Sequence, residues 1–135
     1  FPDVLLTLER LREAGYWLSV ATGKGRSGLN QAIAQTGTGD FWLATACASE
    51  CPSKPAPDMV WRLCDELGVM PSESIVIGDT AFDLEMAAHA GARGIGVATG
   101  AHSRETLQSA PNIGILSCFG ELEGFLQRQG SIEAV

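Results

Sequence analysis

Ile75-Val76-Ile77-Gly78-Asp79-Thr80-Ala81-Phe82-Asp83 decides how the rest of the chain is read. Its first three residues are β-branched with no polar side chain among them, the pattern of a short strand buried on both faces. Gly78 lets the chain turn. Thr80 to Ala90 is rich in Ala, Leu, Met and Glu and predicts a helix. A strand that runs straight into a helix puts Asp79 at the strand's carboxyl end, where open α/β sheets gather their ligands. Asp83 then falls in the first helical turn and leans back toward the helix start. Two carboxylates held close together are costly unless a cation or a functional proton is involved. Helix capping by Asp79 and a dipole contribution from Asp83 explain the same residues without any ligand, and both readings stand at this point.

Outward from this stretch, helical and strand patterns alternate. Pro2 to Ala14 predicts a helix with Val4, Leu5, Leu8 and Leu11 facing inward, and Gly15 ends it. Tyr16 to Ala21 predicts a strand, Thr22-Gly23-Lys24-Gly25 a sharp turn, and Ser27 to Gln35 a helix with Leu29, Ile33 and Ala32 inward. Phe41 to Ala46 predicts a strand, and Ser49 to Ala56 a proline-rich loop. Pro57 to Leu67 predicts a helix buried through Val60, Trp61, Cys64 and Leu67. After the opening strand and helix come a strand over Gly94 to Ala98, a short helix over Ser103 to Ser109, a strand over Ile113 to Leu116 and a helix over Phe119 to Gln129. Short, continuous, apolar strands alternating with helices predict an α/β fold of the Rossmann-like kind. This is a doubly wound parallel sheet with helices on both faces, over residues 1–129, with 130–135 as a loose tail.

The 135 residues are 45% hydrophobic and 19% charged, which suits one globular domain with a real core. A formal net charge of -7 argues against a general nucleic-acid or anionic-membrane surface, because nothing would offset repulsion from phosphates. No apolar run approaches the roughly 20 residues that span a bilayer. The four cysteines, Cys47, Cys51, Cys64 and Cys118, match neither zinc-knuckle nor C-x-x-C spacing. They are expected to be free, mostly buried thiols in a reducing cytoplasm.

Three strand ends carry unusual chemistry. Thr22-Gly23-Lys24 offers a hydroxyl and free backbone N–H groups at a strand-to-helix turn, which is a phosphate cradle or an ordinary helix cap. Lys54 lies in Ser53-Lys54-Pro55-Ala56-Pro57-Asp58, where prolines fix the backbone around it. A lone lysine is usually a solvated surface charge, but an ammonium held near two aspartates would neutralise a phosphoryl group between them. Asp79 and Asp83 suit a hard cation such as Mg²⁺, which needs only one or two carboxylates. Gly94-Ile95-Gly96 has the wrong setting for a dinucleotide fingerprint. His89 and His102 read as surface histidines, and Trp17, Trp42 and Trp61 as packing residues.

With hydroxyl, lysine and acid pair in this order, the sequence resembles the haloacid dehalogenase (HAD) superfamily, in particular its phosphoglycolate phosphatase-like branch. Val20-Ala21-Thr22-Gly23-Lys24, Lys54-Pro55-Ala56-Pro57-Asp58 and Ile77-Gly78-Asp79-Thr80-Ala81-Phe82-Asp83 resemble that family's second, third and fourth motifs. The resemblance implies Mg²⁺-dependent phosphoryl transfer from a small phosphorylated metabolite through an aspartyl-phosphate. By the same resemblance Thr22, Gly23 and Lys24 would hold the phosphoryl group and Lys54 would neutralise it. Asp79 would bind Mg²⁺, with Asp83 supporting that site directly or through water. Such displacement needs positioning and charge neutralisation more than elaborate acid–base groups.

The family's first motif, Asp-x-Asp-Gly-Thr, supplies the nucleophile on a central strand followed by a cap domain, and these residues contain no Asp-x-Asp. The expectation is a sheet missing its strand between the one ending at Thr22 and the one ending at Asp79, in a chain that is inactive alone. Such a chain would be unstable by itself, would pair with another copy through its open sheet edges, or would exist only with the missing segment present. A non-catalytic α/β binding or regulatory module, and a phosphomutase on the same core, are the alternative readings.

Overall fold

The computed structural model describes residues 2–100 and 102–128. Helix α1 (Pro2–Glu13) leads to strand β1 (Leu18–Thr22), helix α2 (Arg26–Thr36) and strand β2 (Trp42–Cys47). Helix α3 (Asp58–Leu67), strand β3 (Ile75–Gly78), helix α4 (Ala81–Ala90) and strand β4 (Arg93–Val97) follow. The described chain closes with helix α5 (Arg104–Gln108), strand β5 (Gly114–Leu116) and helix α6 (Leu122–Arg128). The expected alternation of strand and helix is therefore present, and every strand pairing is parallel.

The sheet is in two pieces. β1 pairs only with β2, while β3, β4 and β5 form a second sheet in that order. Among the described residues the facing edges of β1 and β3 have no strand partner. Between them lies a cavity of about 360 Å³, walled by Leu18 to Ala21 on one side and Ile75 to Ile77 on the other. Burial follows the topology. β4, flanked on both sides, is buried from Gly94 to Val97, whereas all five residues of β1 are only partly buried. The gap falls between the two strands expected to flank a missing one.

Two apolar layers sandwich the strands. On one face Ala44 and Ala46 of β2 pack with Met59, Val60, Leu63 and Cys64 of α3 and with Met86 and Ala90 of α4, and Val76 joins them. On the other, Ile75, Ile77 and Ile95 pack with Leu11 of α1 and Leu122 and Leu126 of α6. Ile75 and Ile77 against Val76 is the period-two alternation of a strand covered on both faces. Each fully buried Leu, Ile or Met contributes roughly 1.5–3 kcal/mol relative to exposure. Gly94 and Gly96 lie close under the helices: a Cβ on Gly94 would stand 2.9 Å from Leu84 Cδ2, and one on Gly96 3.4 Å from Leu107 Cδ1. They are packing glycines, which is why they occur without a fingerprint's spacing.

Several local expectations need correction. Trp61 is 49% exposed rather than inward, and its indole N–H donates to the Ala90 carbonyl at 3.1 Å. Met59, Val60, Leu63 and Cys64 form the buried stripe of α3 instead. Leu5 is 41% exposed, and Thr7, Leu8 and Leu11 are the buried residues of α1. Trp17 is also half exposed. β1 begins later than Tyr16 because the Tyr16 N–H is used in ending α1, donating to the Leu11 carbonyl at 3.1 Å. Phe119 to Glu121 form a 3₁₀ turn ahead of α6, and both Gln129 and the proposed tail 130–135 lie outside the described residues. All four cysteines are free, but Cys51 and Cys118 are only partly buried. No described helix is long and apolar enough to cross a membrane.

Candidate active site

The acid-rich turn is built by close packing. Thr80 is the N-cap of α4: its Oγ1 accepts from the Asp83 N–H at 3.3 Å, and Asp83 Oδ2 accepts from the Thr80 N–H at 3.2 Å. This is a capping box with Asp in place of the usual Glu. The shorter side chain has to fold tightly back over the strand end. Gly78 makes that space, since a Cβ there would lie 2.5 Å from Asp83 Oδ2 and closer still to Asp83 Cβ and Cγ.

Asp83 is 5% exposed. Its Oδ2 also accepts from Thr80 Oγ1 at 2.8 Å, and its Oδ1 meets Lys54 Nζ at 2.5 Å. Both carboxylate oxygens are thus engaged within the protein. A direct metal bond to Asp83 would have to displace the lysine or the cap, so the geometry gives this residue a supporting place. Lys54, with a side chain 21% exposed, is held over α4 from a second point. His89 Nδ1–H donates to the Pro55 carbonyl at 3.0 Å, and the Lys54–Pro55 peptide is cis. Sequence reasoning treated His89 as a plain surface residue. It is exposed, yet it ties the lysine loop to the acid-bearing helix.

Asp79 follows β3 directly and is exposed, with no ion pair among the described residues. It is the free carboxylate of the turn. Thr22 stands at the end of β1, where its Oγ1 accepts the Lys24 N–H at 3.2 Å. Gly23 and Lys24 are exposed, and the Lys24 carbonyl accepts from Ala48 N–H at 3.1 Å. Lys54 and Asp83 are therefore in contact, whereas Thr22 and Asp79 sit at the ends of the two strands that border the cavity. The Lys54–Asp83 pair links the segment after β2 to the helix after β3, which puts the carboxyl ends of both sheets on one edge. Among the described residues no group of three or more His, Cys, Asp or Glu side chains could hold a metal ion. Asp79 can supply one oxygen ligand to a hard cation, in keeping with the small carboxylate share of Mg²⁺ sites.

Beyond Thr22 and Lys24, the charge of Arg26 is paired within the protein. Its Nη2 meets Glu50 Oε1 at 2.6 Å and its Nη1 donates to Thr45 Oγ1 at 2.7 Å. The Glu50 carboxyl is held below its ordinary value, first by the hydrogen bond from Arg26 and then by one from the Cys47 thiol.

The family model for haloacid dehalogenase-like hydrolases matches residues 1–97, a span that contains Thr22, Lys54, Asp79 and Asp83. The chain belongs to this family. Among its relatives is the pyrophosphatase PpaX of Bacillus velezensis, 33% identical over 110 residues, covering 81% of this chain and 51% of the relative. A phosphoglycolate phosphatase of Haemophilus influenzae is 31% identical over 101 residues, covering 74% of this chain and 45% of the relative. The chain thus spans about half the length of the curated relatives it matches. The crystal structure of a predicted phosphoglycolate phosphatase from Haemophilus somnus superposes with a TM-score of 0.87 at 25% identity, covering 94% of this chain and 57% of that one. A HAD family hydrolase from Deinococcus radiodurans, with bound phosphate and sodium, matches the fold at a TM-score of 0.88 and 22% identity, covering 100% of this chain and 62% of that one. The HAD resemblance and the α/β fold drawn from the sequence are thereby established.

Proposed function

We propose that this chain is the greater part of the catalytic core of a Mg²⁺-dependent phosphatase that acts on a small phosphorylated metabolite. The observation that carries the reading is the pairing of Lys54 with Asp83 beside the free carboxylate of Asp79, on the carboxyl edge of a sheet that opens between β1 and β3. Lys54 brings a positive charge to a partly buried position, where it is worth more than in water. Asp83 fixes that charge in place. Asp79 is the metal-binding carboxylate, and a bound Mg²⁺ would supply charge neutralisation to the transferring phosphoryl group. Thr22 Oγ1 and the exposed turn at Gly23 and Lys24 are the hydrogen-bonding side of the phosphate site.

The nucleophile, in this reading, is an aspartate on a strand that occupies the slot between β1 and β3. The phosphoryl group passes to that carboxylate as its bond to the ester oxygen breaks and the alcohol leaves with a proton; water then attacks the phosphorus, releasing inorganic phosphate and restoring the carboxylate. The strand would arrive with its carboxyl end beside Lys54, which would then neutralise the aspartyl-phosphate as it forms. Residues 1–135 alone are accordingly inactive.

Asp79→Asn is the cleanest test, because Asp79 is exposed and its loss breaks no ion pair among the described residues. In the longest natural reading frame containing these residues, Asp79→Asn and Lys54→Ala should lower Mg²⁺-dependent hydrolysis of a phosphate monoester by about 10²–10³-fold or more. The Asp79→Asn melting curve should stay near that of the wild type. Full activity in Asp79→Asn removes the site assignment, and turnover by residues 1–135 alone removes the missing nucleophile.

A further inference from the structure

The loop after β4 meets the acid turn through contacts that none of the roles above requires. Gly100 packs directly on the Asp79 side chain: a Cβ at residue 100 would stand 2.6 Å from Asp79 Cγ and overlap Oδ2. Two residues on, the His102 N–H donates to the Asp79 carbonyl at 3.3 Å. The His102 ring then turns back, and its Nδ1 accepts the Ala81 N–H at 2.9 Å. That N–H belongs to the first residue of α4 and has no partner inside the helix. Because Nδ1 accepts, the ring is neutral with its proton on Nε2. The Phe82 ring lies 5.6 Å from the imidazole at an interplanar angle of 60°, a tilted arrangement that steadies the histidine. The backbone that follows Asp79 Cα is therefore fixed, at its own carbonyl and at Ala81, and its carboxylate is bounded by a residue with no side chain.

We infer that Gly100 and His102 are positioning residues for Asp79. They set the direction of its carboxylate and the turn that carries it, without touching substrate. This rests on Asp79 being the metal-binding carboxylate. Groups that hold a metal ligand in place typically govern about 10–100-fold of metal affinity. Gly100→Ala acts on the carboxylate itself, which must swing aside. His102→Ala acts on the turn, by removing the acceptor of the Ala81 N–H. His102→Asn keeps an acceptor oxygen near the place of Nδ1 and is the conservative variant.

The experiment is Mg²⁺ titration of the longest natural protein containing these residues, read by calorimetry and by the Mg²⁺ dependence of phosphate-ester hydrolysis. Gly100→Ala and His102→Ala are expected to weaken Mg²⁺ binding by about 10-fold or more, with the KM for the ester within about 3-fold of wild type. His102→Asn should recover most of the His102→Ala loss. Equal loss in His102→Asn and His102→Ala overturns the role of Nδ1. Wild-type Mg²⁺ affinity in a folded Gly100→Ala overturns the role of Gly100. Asp79→Asn in the same titration separates the two layers. If it binds Mg²⁺ as well as wild type, the assignment of Asp79 has failed. If it does not bind while Gly100→Ala and His102→Ala bind normally, only the positioning role has failed.

Discussion

Gly78→Ala is the substitution on which the packing of the acid turn can be judged most sharply. Gly78 has no left-handed backbone requirement, so alanine there carries no conformational penalty. At an unstrained site with room for a methyl group, the change would stabilise by about 0.4–1 kcal/mol through the unfolded chain. Here the new Cβ would fall on Asp83 Cβ, Cγ and Oδ2. Asp83 cannot move without giving up its bonds to the Thr80 amide and hydroxyl and its contact with Lys54. Losing a helix cap costs about 0.5–2 kcal/mol. Separating a buried ion pair costs about 3–5 kcal/mol, less here because the Lys54 side chain keeps 21% of its exposure. One displacement causes both losses, so they overlap, and about 2–4 kcal/mol of net destabilisation is expected. Urea unfolding at neutral pH of the longest natural protein containing the chain measures it, provided the m-value is unchanged. The decisive comparison is the same substitution in an Asp83→Gly background, where Cβ, Cγ and Oδ2 are all absent and the cost should fall below about 0.5 kcal/mol. Equal costs in the two backgrounds, or a cost below about 0.5 kcal/mol in the wild type, would refute the collision with Asp83 as the reason for glycine.

Two further expectations concern the other half of the sheet and its open edge. The Glu50 carboxyl is lowered by its hydrogen bond from Arg26, so this contact stabilises the fold above the ordinary carboxylate value of 4.5 and is lost as pH falls through the lower folded value. Melting temperatures of wild type and Glu50→Gln should therefore differ above about pH 5 and converge in acid. A gap that widens on acidification would contradict the contact. Hydrogen exchange tests the slot. With each strand bond worth about 0.5–1.5 kcal/mol net, amides of β1 and β3 should exchange at least about 10-fold faster in residues 1–135 than in the longer natural protein, with β4 changed less. Equal rates in the two would mean that no strand enters between β1 and β3.

What could be read from the sequence was whatever is local in the chain, or ordered by a periodicity. The β-branched run at Ile75 to Ile77, followed by glycine and a helix-forming stretch, located Asp79 at a strand end, because strand period and helix propensity are properties of neighbouring residues. The two-piece sheet was legible for a different reason: the resemblance to the haloacid dehalogenase family implied a further strand between the ones ending at Thr22 and Asp79, and among the described residues the facing edges of β1 and β3 are unpaired there. The side-chain partnerships were not legible. Asp83 was expected to support a metal, directly or through water, yet its second oxygen is spent on Lys54, 29 positions away in sequence. Nothing local marks such a contact, because it is created by α4 packing beside the loop after β2. The same holds for His89 on the Pro55 carbonyl and His102 on the Ala81 amide, 34 and 21 positions apart. Glycines carried more information than their usual role as breakers allowed. Gly78 and Gly100 are each placed against one aspartate, so the two carboxylates of the opening stretch are shaped by what their neighbours lack. That division also separates their chemistry. Asp83, with every oxygen occupied, organises a cation that belongs to the protein, while Asp79, exposed and bounded by a bare glycine, is the carboxylate on which the proposed metal site depends.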